Sequence, residues 1–542
     1  MSQQTNSHLF SSRRDNIHHT VQILTGVVFT MLAVSFVMPS TAADRAPNIL
    51  YIISDNQPTA IMGTYGNPDV KTPNLDKLAA QGIRFDGLFA VNGMCSPTRA
   101  TIMTGLMPSQ HGVHNWLEDR QMDNWPANWN AINEFRTLPH TLHDAGYQTG
   151  LIGKWHLGQP RKPPSGIDHW ITFLVGHTVD FWDNTVIDNG NEYKVEGQHI
   201  VDFFTDKAVS YLDAVKNDKP FFLMVTYDGP YLNPPTNMGP ARNRYFEEYQ
   251  KQPLTSFPVQ RINESILQQI SGPDPGDDYR TAEQVRNHFM YNYLRMNADQ
   301  DTRANIASQN TLVDAGVGRL LEALKRNNLE NNTIVIYTTD QGNFYGQHGF
   351  WGHVMTPFPS RPYDVAMNIP LIIRYPHRVP AGTINSDLIG QYDLAPTILE
   401  LAGVTDVVFE DSPGESFAIL LTPERKSAWR DAVYFEQEET RAIRTHRYAY
   451  WKRLEGTGTN ALFDLEKDPE QLINVYEDPS YNHIVGQLDA RLVDFFARYK
   501  SAEYDLWLGG TIKGSVPRPW VYRELYGQDW QPTTEVKPSF YQ

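Results

Sequence analysis

Two short runs of branched apolar residues, each closing on an aspartate, are the first structural signal in this 542-residue chain. Ile49-Leu50-Tyr51-Ile52-Ile53-Ser54 runs into Asp55-Asn56, and Thr333-Ile334-Val335-Ile336-Tyr337-Thr338-Thr339 runs into Asp340-Gln341-Gly342. Apolar runs of this length without alternation read as strands buried on both faces. Stretches with helical periodicity lie between them, from Thr72 to Gly82, Val201 to Val215 and Ser308 to Asn327, together with a strand-like piece from Phe221 to Thr226. Helices alternating with buried strands predict an α/β fold, a mostly parallel central sheet sandwiched by helices. Functional groups in such sheets collect at the carboxyl ends of the strands, where Asp55 and Asp340 fall.

Further along, Ile369 to Arg374 reads as another core strand and Tyr392 to Gly403 as a helix closed by glycine. From about residue 430 the pattern changes to short strand-like pieces, Ala432 to Phe435, Arg441 to Arg444, Tyr448 to Lys452 and Ala461 to Leu465, followed by a helix around His483 to Tyr499. The expectation is a main domain over residues 44–430 and a smaller C-terminal α+β subdomain over 431–542 built on an antiparallel sheet. Residues 230–300, rich in Pro, Asn, Gln and Tyr, read as a long irregular insertion, either functional or a solvated excursion.

The N-terminus adds a location. Residues 21–37 are apolar, follow Arg13-Arg14 and precede the small residues Ser40-Thr41-Ala42-Ala43. This arrangement predicts a signal peptide over residues 1–43, cleaved near Ala42/Ala43, and a periplasmic or secreted product; a tilted N-terminal anchor is the alternative, and no stable membrane partner is expected. The formal net charge is −16, and loss of residues 1–43 with Arg13, Arg14 and Asp15 leaves the remainder slightly more acidic. A chain with that field does not attract nucleic acid, and an anionic substrate needs a local basic cluster.

One cysteine in an exported chain of this size excludes an internal disulfide and turns attention to Cys95 itself. Its alternative is a buried packing cysteine. The neighbours decide: Cys95-Ser96-Pro97-Thr98-Arg99 leads into the helix-compatible Ala100-Thr101-Ile102-Met103-Thr104-Gly105. Proline near a helix start places Cys95 at a helix N-terminus, where free N–H groups and the dipole favour an anion. Arg99, four residues on, shares its face.

This segment resembles the C-x-P-x-R signature of the type I sulfatase family, within the alkaline phosphatase-like superfamily. Matching segments follow in family order: Leu151-Ile152-Gly153-Lys154-Trp155-His156-Leu157-Gly158, Thr339-Asp340-Gln341-Gly342, His348-Gly349, Pro370 to Arg374, Asp393 to Leu399, and Leu462 to Glu466 with Asp468-Pro469 and Asn474. The resemblance implies an exported sulfuric ester hydrolase in which Cys95 is oxidised to formylglycine by a separate maturation enzyme. One hydroxyl of the hydrated aldehyde attacks sulfur; the other then drives release of sulfate. It further implies one Ca2+ ion, held by Asp55, Asn56, Asp340, Gln341 and the residue at position 95, which neutralises the non-bridging sulfate oxygens. Lys154 is implied in sulfate binding and His156 in accepting the hydroxyl proton.

Four positions depart from the commonest family pattern. Asn56 stands where many members have Asp, and Gln341 where Asn or His is usual, so the metal site carries less negative charge and weaker calcium binding is expected. Tyr231, in Asp228-Gly229-Pro230-Tyr231, stands where the family has a histidine that donates to the leaving group; a phenol, with an ordinary pKa near 10, is the weaker acid. His353 follows Trp351-Gly352 where a lysine is common, and is the candidate sulfate contact, with Arg361 as its rival. His177 and Trp182, with Trp170, Tyr231 and Trp351, are candidates to line a site for a sulfated carbohydrate. Two other readings stay open here: a phosphate or phosphonate ester hydrolase on the same fold, and a catalytically impaired sulfoglycan-binding protein.

Overall fold

The computed structural model describes residues 45–541 except 118–121, 123, 178–179, 217, 232–241, 260–299, 356–357, 377, 408, 410 and 423–427. The expected signal peptide and most of the 230–300 insertion lie outside the described residues. Among the described residues no helix is long and apolar enough to cross a membrane.

The centre is a ten-stranded sheet. In chain order its strands are β1 (Asn48–Ser54), β2 (Ile83–Phe85), β3 (Gln148–Gly153), β4 (His169–Phe173), β5 (Asn184–Asp188), β6 (Asn191–Val195), β7 (Phe221–Thr226), β8 (Thr333–Thr339), β9 (Leu371–Arg374) and β10 (Thr383–Asn385). Their spatial order is β10-β2-β9-β8-β1-β7-β3-β4-β5-β6. The five strands β8-β1-β7-β3-β4 are parallel to one another, and both flanks include antiparallel strands, so the predicted parallel sheet is the middle of a larger mixed one.

Both faces of the middle strands are covered, which is why their sequences run apolar without a break. Along β1, Ile49, Tyr51 and Ile53 face one layer, with α2 (Cys95–Thr104), α3 (Leu138–Asp144) and the later helix Leu394–Leu401. Leu50 and Ile52 face the other, with α1 (Pro73–Ala80), α4 (Ile200–Ala214) and α5 (Gln300–Arg326). Each fully buried side chain of this size contributes about 1.5–3 kcal/mol, so the sandwich rests on these two sets of contacts. The described part of the insertion, residues 242–259, contains a short helix, Phe246–Gln250, packed with Tyr345 and Trp351.

The C-terminal strands β11 (Ala432–Gln437), β12 (Thr440–Thr445), β13 (Tyr448–Arg453) and β14 (Ala461–Asp464) form the expected antiparallel sheet, covered by the helix Asn482–Arg498. The β11 end of this sheet is tied to the loop ahead of α2. Glu436 N donates to Val91 O at 2.9 Å, Asn92 Nδ2 donates to Glu436 O at 2.6 Å, and Gly93 N donates to Gln437 Oε1 at 3.0 Å.

One glycine is indispensable to the sheet's carboxyl edge. Gly153, with φ +127°, ends β3 so close to β7 that an added Cβ would lie 1.9 Å from the Thr226 carbonyl oxygen. Gly153→Ala is therefore expected to lower unfolding free energy by ~2–4 kcal/mol and to displace Lys154, as urea denaturation and a ligand-free crystal structure would reveal.

Candidate active site

Strand register assembles the site. Residues pair in parallel from Asn48 with Thr333 to Ser54 with Thr339, so the next residues, Asp55 and Asp340, emerge side by side. On the other side of β1, β7 is in register with β3, Gly153 pairing with Thr226, and Lys154 N donates to Thr226 O at 2.8 Å. Four adjacent strand ends thus deliver Asp340, Asp55, the Tyr227-Asp228 turn and Lys154 to one place.

Helix α2 brings Cys95 over that edge. Cys95 is its first residue, Met94 caps it without a side-chain bond, and Gly105 closes it at φ 71°. Cys95 is 2% exposed. Its Sγ lies 3.8 Å from Asp55 Oδ1, 3.5 Å from Lys154 Nζ and 3.3 Å from Gln341 Nε2. Arg99 Nε and Nη2 reach Asp340 Oδ2 at 2.9 and 2.7 Å, Nη2 is 3.6 Å from Asp55 Oδ2, and Nη1 donates to the Lys154 carbonyl at 2.9 Å. Lys154 Nζ bonds Asp55 Oδ2 closely and Asp228 Oδ1 at 3.2 Å. From one turn further along α2, the Arg99 fork spans both carboxylates.

The charges explain the protonation states. Burial would raise the Asp55 carboxyl, but Lys154 and Arg99 outweigh it and hold it below the usual carboxylate range. Burial and the adjacent Asp55 charge push Asp340 the other way. Burial works against the Lys154 ammonium, and Asp228 with Asp55 more than restores it. The Cys95 thiol is raised, by burial and then by Asp55. An unmodified Cys95 is consequently a neutral thiol and a poor nucleophile at neutral pH.

The donors suit a hard divalent cation. Asp55, Cys95 and Asp340 offer ligand atoms within 4.8 Å of one another, and Asn56 and Gln341 add amide groups to the same edge. Gln341 Nε2 faces Asp55 Oδ1 at 3.4 Å and lies against Asn56 Oδ1, so an amide flip turns Oε1 into the cluster as a second amide oxygen. The Asn56 amide nitrogen is buried without a hydrogen bond. Carboxylate and amide oxygens are the donor set of Ca2+ and Mg2+ rather than of zinc.

The opposite wall is a row of rings. His156 and His177 centroids are 5.5 Å apart, His177 and Tyr231 5.6 Å, and Tyr231 and His353 6.5 Å, with Lys154 Nζ 4.8 Å from the Tyr231 ring centre. His156 sits at φ 56°, and its Nε2 lies 2.9 Å from the Leu117 carbonyl, which fixes the proton on Nε2 and makes Nδ1 the accepting nitrogen. Burial raises the Tyr231 phenol, only partly countered by Lys154, so Tyr231 is a neutral hydrogen-bond donor. Burial lowers the His353 imidazole to about 4, so it stands neutral beside Tyr231.

Several candidates are elsewhere. Trp182 packs edge-on to His199 and donates to the Arg242 carbonyl at 3.0 Å. Arg361 lies beside Tyr363, with burial lowering its pKa, near His348 and Arg453 under the C-terminal sheet. Trp170 and Trp351 are core residues, packed on Trp155 and Tyr345. Nearness in sequence to a matched motif does not fix where a side chain points: within the one segment His348 to His353, His353 faces Tyr231 while Trp351 packs on Tyr345 and His348 stacks on Tyr363.

Three residues carry more than the sequence reading gave them. Asp228 is fully buried and is the second partner of Lys154; an aspartate just past a strand end, the same signal as Asp55 and Asp340, marked it. Gln391 accepts from Val91 N at 3.1 Å and donates closely to the Asp340 carbonyl, joining the cysteine loop to the aspartate strand. Asn92 ties that loop to β11, and no local pattern announces it.

A cysteine at a helix N-terminus, two buried cations beside it and a cluster of oxygen donors thus lie together at the carboxyl edge of a mixed α/β sheet, an arrangement suited to an anionic group. A sulfatase family model matches residues 47–404, and a second model, for the C-terminal part of N-sulphoglucosamine sulphohydrolase, matches residues 346–498. The chain belongs to the sulfatase family and is a sulfuric ester hydrolase. It is 28% identical over 525 residues to an N-acetylglucosamine-6-O-sulfatase of Bacteroides thetaiotaomicron, covering 86% of this chain and 89% of that protein. It is 26% identical over 515 residues to an ulvan-active sulfatase of Formosa agariphila, covering 90% and 89%. A solved structure in complex with its substrate D-glucosamine-2-N,6-O-disulfate matches with a TM-score of 0.63 at 26% identity, over 84% of this chain and 98% of that one.

Lys154→Ala strands Asp55 and Asp228 together, so it is expected to cost ~3–5 kcal/mol, whereas Asp228→Asn leaves Lys154 paired with Asp55 and costs less; paired urea titrations without added metal give the order. His353 has a depressed folded pKa, so the stability it contributes is present above about 6.5 and is lost as pH falls through about 4. His348 shares that direction. The thermal midpoint should drop over that window, and His353→Gln should reduce the drop without abolishing it.

Proposed function

We propose that this enzyme acts after export on sulfate esters of a saccharide, with formylglycine at position 95 and one bound calcium ion. The observation that carries this reading is the convergence of Cys95, Asp55, Asp340, Arg99 and Lys154 on one buried edge. Cys95 Sγ marks the place of the oxygen that the oxidised residue would carry. In that form the residue supplies an oxygen nucleophile and a route for releasing sulfate that a thiol lacks. Calcium held by Asp55, Asn56, Asp340 and Gln341 would supply charge neutralisation at the sulfate oxygens.

The chain's own groups divide the remaining work. Lys154, 3.5 Å from Sγ, holds a sulfate oxygen and stays charged because Asp55 and Asp228 flank it. Arg99 anchors the two aspartates in register. His156 presents Nδ1 to accept a proton from the residue at position 95. Tyr231, a neutral phenol over Lys154, donates to the departing alcohol, and His353 adds an uncharged contact beside it. A phenol and a neutral imidazole, in place of two cationic groups, suit a polar sugar leaving group that brings its own hydroxyls.

The saccharide assignment is supported by the relatives that act on N-acetylglucosamine sulfate and ulvan, and by the neighbour bound to a sulfated glucosamine. The division at residue 430, the signal peptide over 1–43 and the maturation enzyme belong to the same proposal. The decisive measurement is sulfate release from 6-O-sulfated N-acetylglucosamine and from sulfated algal oligosaccharides, with phosphate esters as comparison, on protein co-produced with a formylglycine-generating enzyme. The peptide containing residue 95 is expected to show the mass of the aldehyde. His156→Ala is expected to lower kcat by about 10²–10⁴-fold, and chelation to stop turnover until Ca2+ is returned. Turnover by protein bearing only a cysteine at 95, or faster cleavage of phosphate esters, would overturn the proposal.

A further inference from the structure

A second cluster of metal-ligating side chains lies outside the active site, on α3. The buried side of this helix carries Leu138, Thr141 and Leu142. Its other side carries His140, His143 and Asp144, at i, i+3 and i+4, with one ligand atom from each within 4.8 Å of the others. His140 Nε2 is 3.3 Å from Asp144 Oδ1, and His143 Nδ1 is 3.7 Å from the same oxygen. Metal–ligand bonds of 2.0–2.1 Å in tetrahedral geometry set donor atoms about 3.3 Å apart; the His140–Asp144 separation of 3.3 Å matches this and the His143–Asp144 separation of 3.7 Å is slightly longer.

Two further observations separate this cluster from an ordinary ion pair. The first is the other nitrogen of His143: Nε2 lies 3.5 Å from Asp168 Oδ1, and Asp168 is itself held by Thr149, whose N and Oγ1 donate to Oδ2 at 3.0 and 3.2 Å. A histidine with one nitrogen on a ligand cluster and the other on a fixed carboxylate is the arrangement that orients metal-binding imidazoles. The second is Asp144, a carboxylate in the last turn of a helix, where the dipole is unfavourable by about 0.3–1 kcal/mol unless a cation compensates.

We propose that His140, His143 and Asp144 bind one borderline divalent transition-metal ion of the zinc class, with Asp168 orienting His143. Two imidazoles and one carboxylate exclude calcium as the preferred ion and distinguish this site from the oxygen edge at Asp55 and Asp340. The fourth position is open to water, since His143 and Asp144 are 44% and 61% exposed. The ion has a structural consequence. The His140 ring stacks on Tyr541 at 3.2 Å between centroids, Tyr541 OH accepts from Thr137 N at 2.8 Å, and Phe540 N donates to Asn133 O at 2.9 Å. Fixing His140 therefore fixes the C-terminal tail against the main domain.

The test is titration of the full chain with Zn2+ alone, in saturating Ca2+, against a chromophoric chelator, with Co2+ absorption reporting ligand type. The expected result is one Zn2+ per chain, a higher thermal midpoint, and a tetrahedral Co2+ spectrum without a thiolate band. His143→Ala should remove that equivalent, Asp168→Asn should weaken it by about 10–100-fold, and Cys95→Ala should leave it unchanged. Both His143 and Asp168 are partly exposed, and circular dichroism confirms that the variants fold. No bound Zn2+ in the parent chain, or an equivalent kept by His143→Ala and lost by Cys95→Ala, would overturn the proposal.

Discussion

The structure depends on the pairing of two parallel strands whose last residues are both followed by a buried aspartate. Asp55 and Asp340 leave β1 and β8 at the same level and are fully buried. Two carboxylates at that depth repel, and the fold is arranged to offset the repulsion. Arg99 is aimed at both from α2, and Lys154 reaches Asp55 from β3. The same two cations that let the aspartates be buried are those that the proposed reaction would use at the sulfate. Stability and chemistry are therefore one electrostatic problem here, with Asp228 as the counterweight that keeps Lys154 charged.

The C-terminal sheet belongs to this arrangement. Its first strand bonds Val91, Asn92 and Gly93, the residues ahead of Cys95, while Gln391 links Val91 to the Asp340 carbonyl. The loop that aims the helix N-terminus is held on one side by the aspartate strand and on the other by a sheet more than three hundred residues later in the chain. Helix ends without a side-chain cap fray readily. Here the tertiary bonds made by Asn92 and Gly93 hold the residues just ahead of the helix in place.

Much of this was legible in the sequence, and for a common reason. The middle strands are buried on both faces, so their apolar runs are unbroken, and they end in polar residues whose identity survives the loss of all other signal. Asp55 and Asp340 were readable because each follows an unbroken apolar strand, Cys95 because it is the chain's single cysteine and stands ahead of Pro97 and Arg99, and Lys154 only through its resemblance to a family segment. The strands β2, β4, β5, β6 and β10 were not, since they are short or mix polar with apolar positions and carry little pattern. Arg361 and the tryptophans show the other limit: a side chain next to a motif has no fixed direction until its own turn is known. Gln391 and Asn92 act only through contacts across hundreds of residues, which no window of sequence contains.

The closure of the cysteine loop by β11 also orders events in time. Asn92 and Gly93 take their partners from Glu436 and Gln437, 344 residues downstream. During synthesis the segment around Cys95 is thus complete long before the residues that lock it exist. Once they do, the thiol is 2% exposed beneath packed side chains. On the reading proposed above, a protein-sized maturation enzyme meets residue 95 while the chain is still being made, before β11 docks on the loop ahead of it.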